Sequence, residues 1–276
     1  MKGYLKRAIK YILKEYKQPI VKAEIVQKQP TELFADKVYL VTGGGSGLGY
    51  YIAKKLISEN AKVIITGRNQ EKLEKAKKEL GEKCDTMVAD VKNTSDCDSI
   101  LKKIFKKYNK LDGLISNAGI SLHEWDFMKV TEEGFENQFQ TNLKGGYFLV
   151  QSYFRLIKEN KQQEGNVIFM SSEAGTMCDD LPYGLTKASI DSLVKALSYR
   201  YYKEGIRVNA VAPGVTATEM TNINKEDDLY YDSNSGRFFL PEEVAEVVCF
   251  LLSDYSKCIS GEIIHTNAGN HIKRRY

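Results

Sequence analysis

Seven short apolar runs, most of them separated by stretches of helical periodicity, leave this chain little choice of architecture. The runs are Val38–Val41, Val63–Thr66, Thr86–Ala89, Leu114–Ser116, Val167–Met170, Val208–Val211 and Ile263–Thr266. Helical patterns fall between them over Leu48–Ser58, Ser95–Tyr108, Gly134–Glu159, Tyr183–Glu204 and Pro241–Ser253. Strands this short and this apolar are buried on both faces, which is the mark of a parallel sheet. Strand and helix in alternation therefore predict an α/β fold: a doubly wound parallel seven-stranded sheet covered by helices on either side. No internal repeat, low-complexity segment or linker interrupts residues 36–270, so 36–276 reads as a single domain.

Ahead of it, residues 2–17 place Leu5, Ala8, Ile9, Ile12, Leu13 and Tyr16 at helical spacing with Lys2, Lys6, Arg7, Lys10, Lys14 and Lys17 between them. That is a basic amphipathic helix, and residues 18–35, with Pro19 and Pro30, read as a connector. Together they form an N-terminal extension, 1–35. Charge is concentrated there: eight basic residues against three acidic ones, while the remainder holds 32 against 33. A body so near neutrality predicts no nucleic-acid surface. Residues 1–17 are expected to dock on the domain or a second subunit, with attachment to an anionic membrane surface as the less favoured alternative. Five scattered cysteines without a C-x-x-C pair fit reduced thiols in a cytoplasmic protein. His123, His265 and His271 are dispersed as well, and no metal is expected.

Two stretches carry chemistry. The first strand runs into Thr42-Gly43-Gly44-Gly45-Ser46-Gly47-Leu48-Gly49 and then a helix. Glycines let the backbone turn sharply and approach a pyrophosphate, whose charge then faces a helix N-terminus. The second stretch is Tyr183-Gly184-Leu185-Thr186-Lys187, preceded by Ser171-Ser172. A four-residue step puts phenol and ammonium on one helix face. A cation ~4 Å from the phenol supplies about 4 kcal/mol at an effective dielectric near 20, enough to bring a tyrosine toward neutral pH as a proton donor.

With these motifs the chain resembles the short-chain dehydrogenase/reductase family, with its single Rossmann-type domain, over about residues 36–270. Thr42-Gly43-x-x-x-Gly47-x-Gly49, including Gly45, Ser46 and Leu48, is similar to the family's cofactor loop. Asp90-Val91 resembles the position that contacts adenine, and Asn117-Ala118-Gly119 resembles the N-A-G motif, with Ser116 where a first Asn is common. Asn142 falls where the family keeps an asparagine. Ser172 and Tyr183-x-x-x-Lys187 match its serine and Y-x-x-x-K pair. Pro213-Gly214-Val215 followed by Thr218 resembles the turn and threonine that meet the nicotinamide carboxamide. Asn267-Ala268-Gly269 replaces the usual closing D-G-G. The step from Ser172 to Tyr183 is slightly shorter than is common. Ser171 is the alternative serine, and Ser172 is favoured because it directly precedes Glu173-Ala174-Gly175.

The resemblance implies hydride transfer between a nicotinamide and a small-molecule carbonyl or secondary alcohol. Tyr183 would donate the proton, Lys187 lower its pKa and bond the nicotinamide ribose, Ser172 hold the substrate oxygen, and Asn142 position a water. The second strand ends Thr66-Gly67-Arg68 without a carboxylate. An arginine there grips a 2′-phosphate, so NADP(H) is preferred over NAD(H). Substrate contacts are expected from Ser121–Trp125, Thr176–Leu181 and Thr216–Leu240, notably Trp125, Tyr230, Tyr231, Arg237 and Phe238. By the same resemblance the chain is a homo-oligomer, a dimer or tetramer. The rivals are a catalytically quiet dinucleotide sensor or scaffold, disfavoured by the presence of Tyr183 and Lys187, and a reductase recruited to a membrane surface.

Overall fold

The computed structural model describes residues 33–272, so the amphipathic segment over 2–17 lies outside the described residues. In chain order the strands are β1 (Val38–Thr42), β2 (Lys62–Gly67), β3 (Cys84–Val88), β4 (Gly113–Ser116), β5 (Gly165–Met170), β6 (Ile206–Pro213) and β7 (Ile263–Thr266). They form one parallel sheet in the order β3-β2-β1-β4-β5-β6-β7. The helices are α1 (Gly47–Ser58), α2 (Gln70–Leu80), α3 (Thr94–Tyr108), α4 (Glu132–Gln138), α5 (Gly146–Glu159), α6 (Pro182–Tyr201) and α7 (Pro241–Leu252). Each expected run is a strand, though β3 begins at Cys84 and β6 is longer at both ends.

The period-two alternation of strand side chains sorts the interior into two layers. Tyr39, Val41, Val63 and Ile65 pack with Ile52, Leu56, Leu73, Val244 and Val248 on one face. Val38, Leu40 and Ile64 pack with Ile104, Tyr153, Ile190 and Val194 on the other. Each such side chain contributes roughly 1.5–3 kcal/mol on burial. Phe34, on the extension side of the expected boundary, also joins the first layer, its ring edge-on to Tyr39 at 5.3 Å.

Two elements depart from the periodicity. Helix α2 is absent from the expected set because Lys and Glu fill most of it and its inward stripe is only Leu73, Ala76 and Leu80. Asn69 fixes its start by accepting from the Lys72 amide at 2.9 Å. The expected 134–159 helix is instead α4, a π-helical turn over Phe139–Gly145, and α5. The inserted turn coincides with close backbone approaches: a Cβ on Gly145 would lie 2.8 Å from the Val91 carbonyl, and one on Gly146 2.6 Å from Ser116 Oγ.

Strand order reverses direction between β1 and β4. In sheets of this kind the crevice for a ligand opens beyond the carboxyl ends of the strands at that reversal.

Candidate active site

The glycine loop stands at that crevice. Gly43 and Gly47 have φ of +65° and +54°, conformations that side chains rarely adopt. Gly49 serves packing instead, since a Cβ there would sit 2.3 Å from the Gly43 carbonyl. Thr42 Oγ1 accepts from the amides of Asn117 and Ala118, both at 3.0 Å. Asn117 Nδ2 donates to the Thr42 carbonyl at 2.8 Å. The Asn117 side chain thus braces the loop against β4 while the residue lines the cleft.

The loop fits a dinucleotide. A Cβ on Gly47 would meet only Thr218, at 3.9 Å, so its outer side is open. No acidic residue occupies the first turn of α1, and the side chain of its N-cap, Ser46, bonds none of that turn's amides. Free amides at the positive end of a helix suit phosphate. Gly45 packs on α2, against Lys72 and Leu73, and is not part of that opening.

Tyr183 and Lys187 occupy the first turns of α6, which begins with Pro182 at a position where a missing N–H costs nothing. Lys187 is buried, and its Nζ donates to the Met170 carbonyl at 2.7 Å and lies 5.4 Å from the Tyr183 ring centre. Burial lowers the ammonium pKa to about 8. Burial also raises the Tyr183 phenol, partly offset by a hydrogen bond with Ser172. The buried ammonium takes the carbonyl that closes β5 as its acceptor. The phenol stays protonated at neutral pH, in the form that donates.

The two serines separate cleanly. Ser171 Oγ donates to the buried Asp191 carboxylate at 2.6 Å. Ser172 pairs with Tyr183 and caps the tight turn Glu173–Gly175 by accepting from Ala174 N at 3.3 Å. Glu173 in turn receives Asn267 Nδ2 at 3.0 Å, tying this turn to the end of β7.

Asn142 lies in the π turn, buried. Its Oδ1 accepts from Ile120 N at 2.8 Å, and its Nδ2 donates to Ile120 O at 2.9 Å and to Thr186 Oγ1 at 3.3 Å. The side chain thus holds the Ile120 backbone in the stretch that follows β4. A Cβ on Gly119 would lie 3.3 Å from Asn142 Oδ1 and 3.7 Å from Lys187 Nζ, which makes Gly119 the floor between them.

A cleft of about 430 Å³ collects Gly43, Ser46, Gly47, Leu48, Asn117, Ala118, Gly119, Tyr183, Lys187 and Thr218. Ile120, Ser121, His123, Met170, Ser171, Glu219 and Met220 also line it. Glu219 and Met220 fall within the expected Thr216–Leu240 stretch, whereas Ile120 and Met170 were not expected at the cleft because neither bears a motif. Other expected positions lie outside its walls. Arg68 is exposed at the tip of β2 and makes no ion pair among the described residues. Asp90 accepts from Lys92 N at 3.0 Å, and Val91 packs on Gly145. Pro213 is buried at the end of β6, and Gly214 lies under Asn267 and Phe239. Val215 is engaged through its carbonyl by Phe239 N at 3.0 Å. Among the expected substrate contacts, Arg237 is paired with Glu243 at 2.6 Å, Tyr231 and Phe238 stack on each other at 4.6 Å, and Trp125 is covered by Lys129 at 4.2 Å.

Known proteins share this arrangement. The family described as enoyl-(acyl carrier protein) reductase matches residues 43–271. The chain is 35% identical over 242 residues to the 3-oxoacyl-[acyl-carrier-protein] reductase FabG of Aquifex aeolicus (strain VF5), covering 84% of this chain and 96% of that one. It is 31% identical over 244 residues to the FabG of Escherichia coli (strain K12), covering 87% and 99%. Among solved structures, the 3-ketoacyl-(acyl-carrier-protein) reductase of Brucella melitensis complexed with NADH superposes with a TM-score of 0.81 at 30% identity, covering 87% of this chain and all of that one. A levodione reductase superposes with a TM-score of 0.80 at 27% identity, covering 86% and 98%.

Proposed function

This chain belongs to the short-chain dehydrogenase/reductase family, a nicotinamide-dependent oxidoreductase of C=O and CH–OH groups, and on that premise we propose that it is an NADP(H)-dependent reductase of 3-oxoacyl thioesters. The observation that carries the chemistry is the protonated Tyr183 phenol beside Ser172, on the wall of the cleft that contains the glycine loop.

In this reading, the reduced nicotinamide supplies the hydride when bound. Gly43, Ser46, Gly47 and Leu48 hold the phosphate-bearing middle of the dinucleotide, and Thr218 meets its nicotinamide end. Ser172 holds the carbonyl oxygen. As the new C–H bond forms, the C=O π electrons move to oxygen and the Tyr183 O–H proton passes to it. Lys187 secures the β5 end by its bond to Met170 and faces the ribose across Gly119. Asn142 positions the Gly119–Ile120 backbone. Arg68 takes the 2′-phosphate, and Asp90 and Val91 border the adenine. Residues 1–35 form an extension to the domain at 36–276, and the enzyme works as a homo-oligomer in the cytoplasm; no helix among the described residues is long and apolar enough to cross a membrane.

The test is a panel of 3-oxoacyl thioesters, simple ketones and alcohols assayed with NADPH and NADH in parallel. The thioesters with NADPH should give the highest kcat/KM. Tyr183→Phe should lose turnover by roughly 10²–10⁴ while still binding cofactor. A variant retaining most of its activity would remove Tyr183 from the mechanism, and equal use of both cofactors would remove the NADP(H) assignment.

A further inference from the structure

Above the glycine loop, the short segment Thr218–Met220 is clasped from two sides. On one side the Glu219 carboxylate receives Lys72 Nζ, from the first turn of α2, at 2.7 Å. The same carboxylate is hydrogen-bonded by Ser46, the N-cap of α1. On the other side the Met220 carbonyl accepts from His123 Nε2 at 3.0 Å. The contacts join parts of the chain 147 and 97 residues apart, so the segment is a bar laid across the crevice.

That bar divides two hollows. One is the cleft with Tyr183 and Lys187. The other, of about 350 Å³, lies between α1 and α2 and is walled by Tyr50, Lys72 and Lys75. Ser46, Thr218 and Glu219 border both.

The occupant of the junction is itself an anion. A helix N-terminus without acidic residues, a hydroxyl donor and an ammonium are the groups that bind a phosphate. Here the hydroxyl and the ammonium hold a carboxylate beside that terminus, and Lys72 draws Glu219 below the ordinary carboxylate range. Both partners are more than half exposed, so their pairing is weak and exchangeable. The loop supplies no base of its own at Ser46, and Lys72 brings one from a different element.

We infer that Glu219 is an internal competitor for a phosphate of the dinucleotide: on binding, Lys72 and Ser46 exchange its carboxylate for that phosphate, and the Thr218–Met220 bar is released on that side. This rests on the reading that a nicotinamide dinucleotide lies on the glycine loop. Cofactor entry is then coupled to the segment that also roofs the cleft beside Tyr183. The phosphate is either the pyrophosphate, common to both cofactors, or the 2′-phosphate, found in one.

Isothermal titration of the full chain with NADPH and with NADH separates these. Glu219→Gln should tighten binding by about three- to fivefold, the range an exposed ion pair can impose. Tightening of both cofactors identifies the pyrophosphate, and tightening of NADPH alone identifies the 2′-phosphate. Lys72→Met should weaken the same cofactor or cofactors and abolish the gain from Glu219→Gln in the double variant. Unchanged or weaker binding by Glu219→Gln overturns the competition, as does an equal gain with Lys72 removed. If the parent chain binds neither cofactor, the site reading itself fails, and the competition with it.

Discussion

At Lys187 two requirements meet, and their balance sets a pH dependence. The ammonium must be buried to stand between Gly119 and the Tyr183 ring, and burial, only partly opposed by Asp191, lowers its pKa from 10.5 to about 8. Across that window the unfolded chain binds the extra proton and the folded chain does not, so this residue makes stability rise with pH. Below about pH 8 it is charged in both states and its contribution is least favourable. The full swing corresponds to about 3 kcal/mol. Lys187→Met removes the titration. The difference in unfolding free energy between parent and variant, from urea denaturation at neutral pH and near pH 10, should move in the parent's favour by roughly 2–3 kcal/mol. A difference independent of pH would mean that Lys187 is not held in a desolvated site. At this scale the sequence was informative about identity and poor about partners. The four-residue step announced Tyr183 and Lys187, but no local pattern encodes that the Met170 carbonyl captures the ammonium or that Asp191 captures Ser171. Both acceptors arrive through β5 packing on α6.

Among the elements, the break between α4 and α5 matters most to the site. Helical periodicity alone reads 134–159 as unbroken, although Asn142 and Gly145 fall within the π turn and Gly146 follows it. Such insertions concentrate at functional positions. Here it directs Asn142 onto both backbone groups of Ile120 and sets Gly145 and Gly146 against Val91 and Ser116. Asn142→Ala would leave two part-buried backbone groups without their partner. The expected cost is about 1–3 kcal/mol. Thr186→Ala removes the 3.3 Å contact together with the bond that Thr186 Oγ1 donates to the Tyr183 carbonyl at 2.7 Å, and should cost about 0.5–1.5 kcal/mol. Urea midpoints at an unchanged m-value would measure both, and an Asn142→Ala protein as stable as the parent would deny the brace. The remaining element boundaries were legible where apolar strands met glycine or serine. They were obscure where charge filled the helix, as in α2, whose stripe is three residues wide.

Over the whole molecule, one apolar face lacks a partner among the described residues. The π turn, α5 and α6 together expose a shallow depression lined by Phe139, Leu143, Tyr147, Phe148, Leu193 and Ala196. Tyr147 and Phe148 remain 43% and 37% exposed, where a fold with two filled core layers had room to bury them. Contiguous apolar surface of this kind marks an interaction site. Self-association through two copies of this face would place the helix that carries Tyr183 and Lys187, and the turn that carries Asn142, directly behind the interface. Subunit contact would then stiffen the walls of the cleft, and stability would depend on protein concentration. Phe148→Glu puts a charge on that face without touching either core layer. Light scattering across a dilution series should show the parent as a dimer or tetramer and the variant shifted to a smaller species. The variant's melting temperature should cease to depend on concentration, and its turnover should fall with the loss of assembly. An unshifted mass for the variant would place the interface elsewhere and leave this face to another partner.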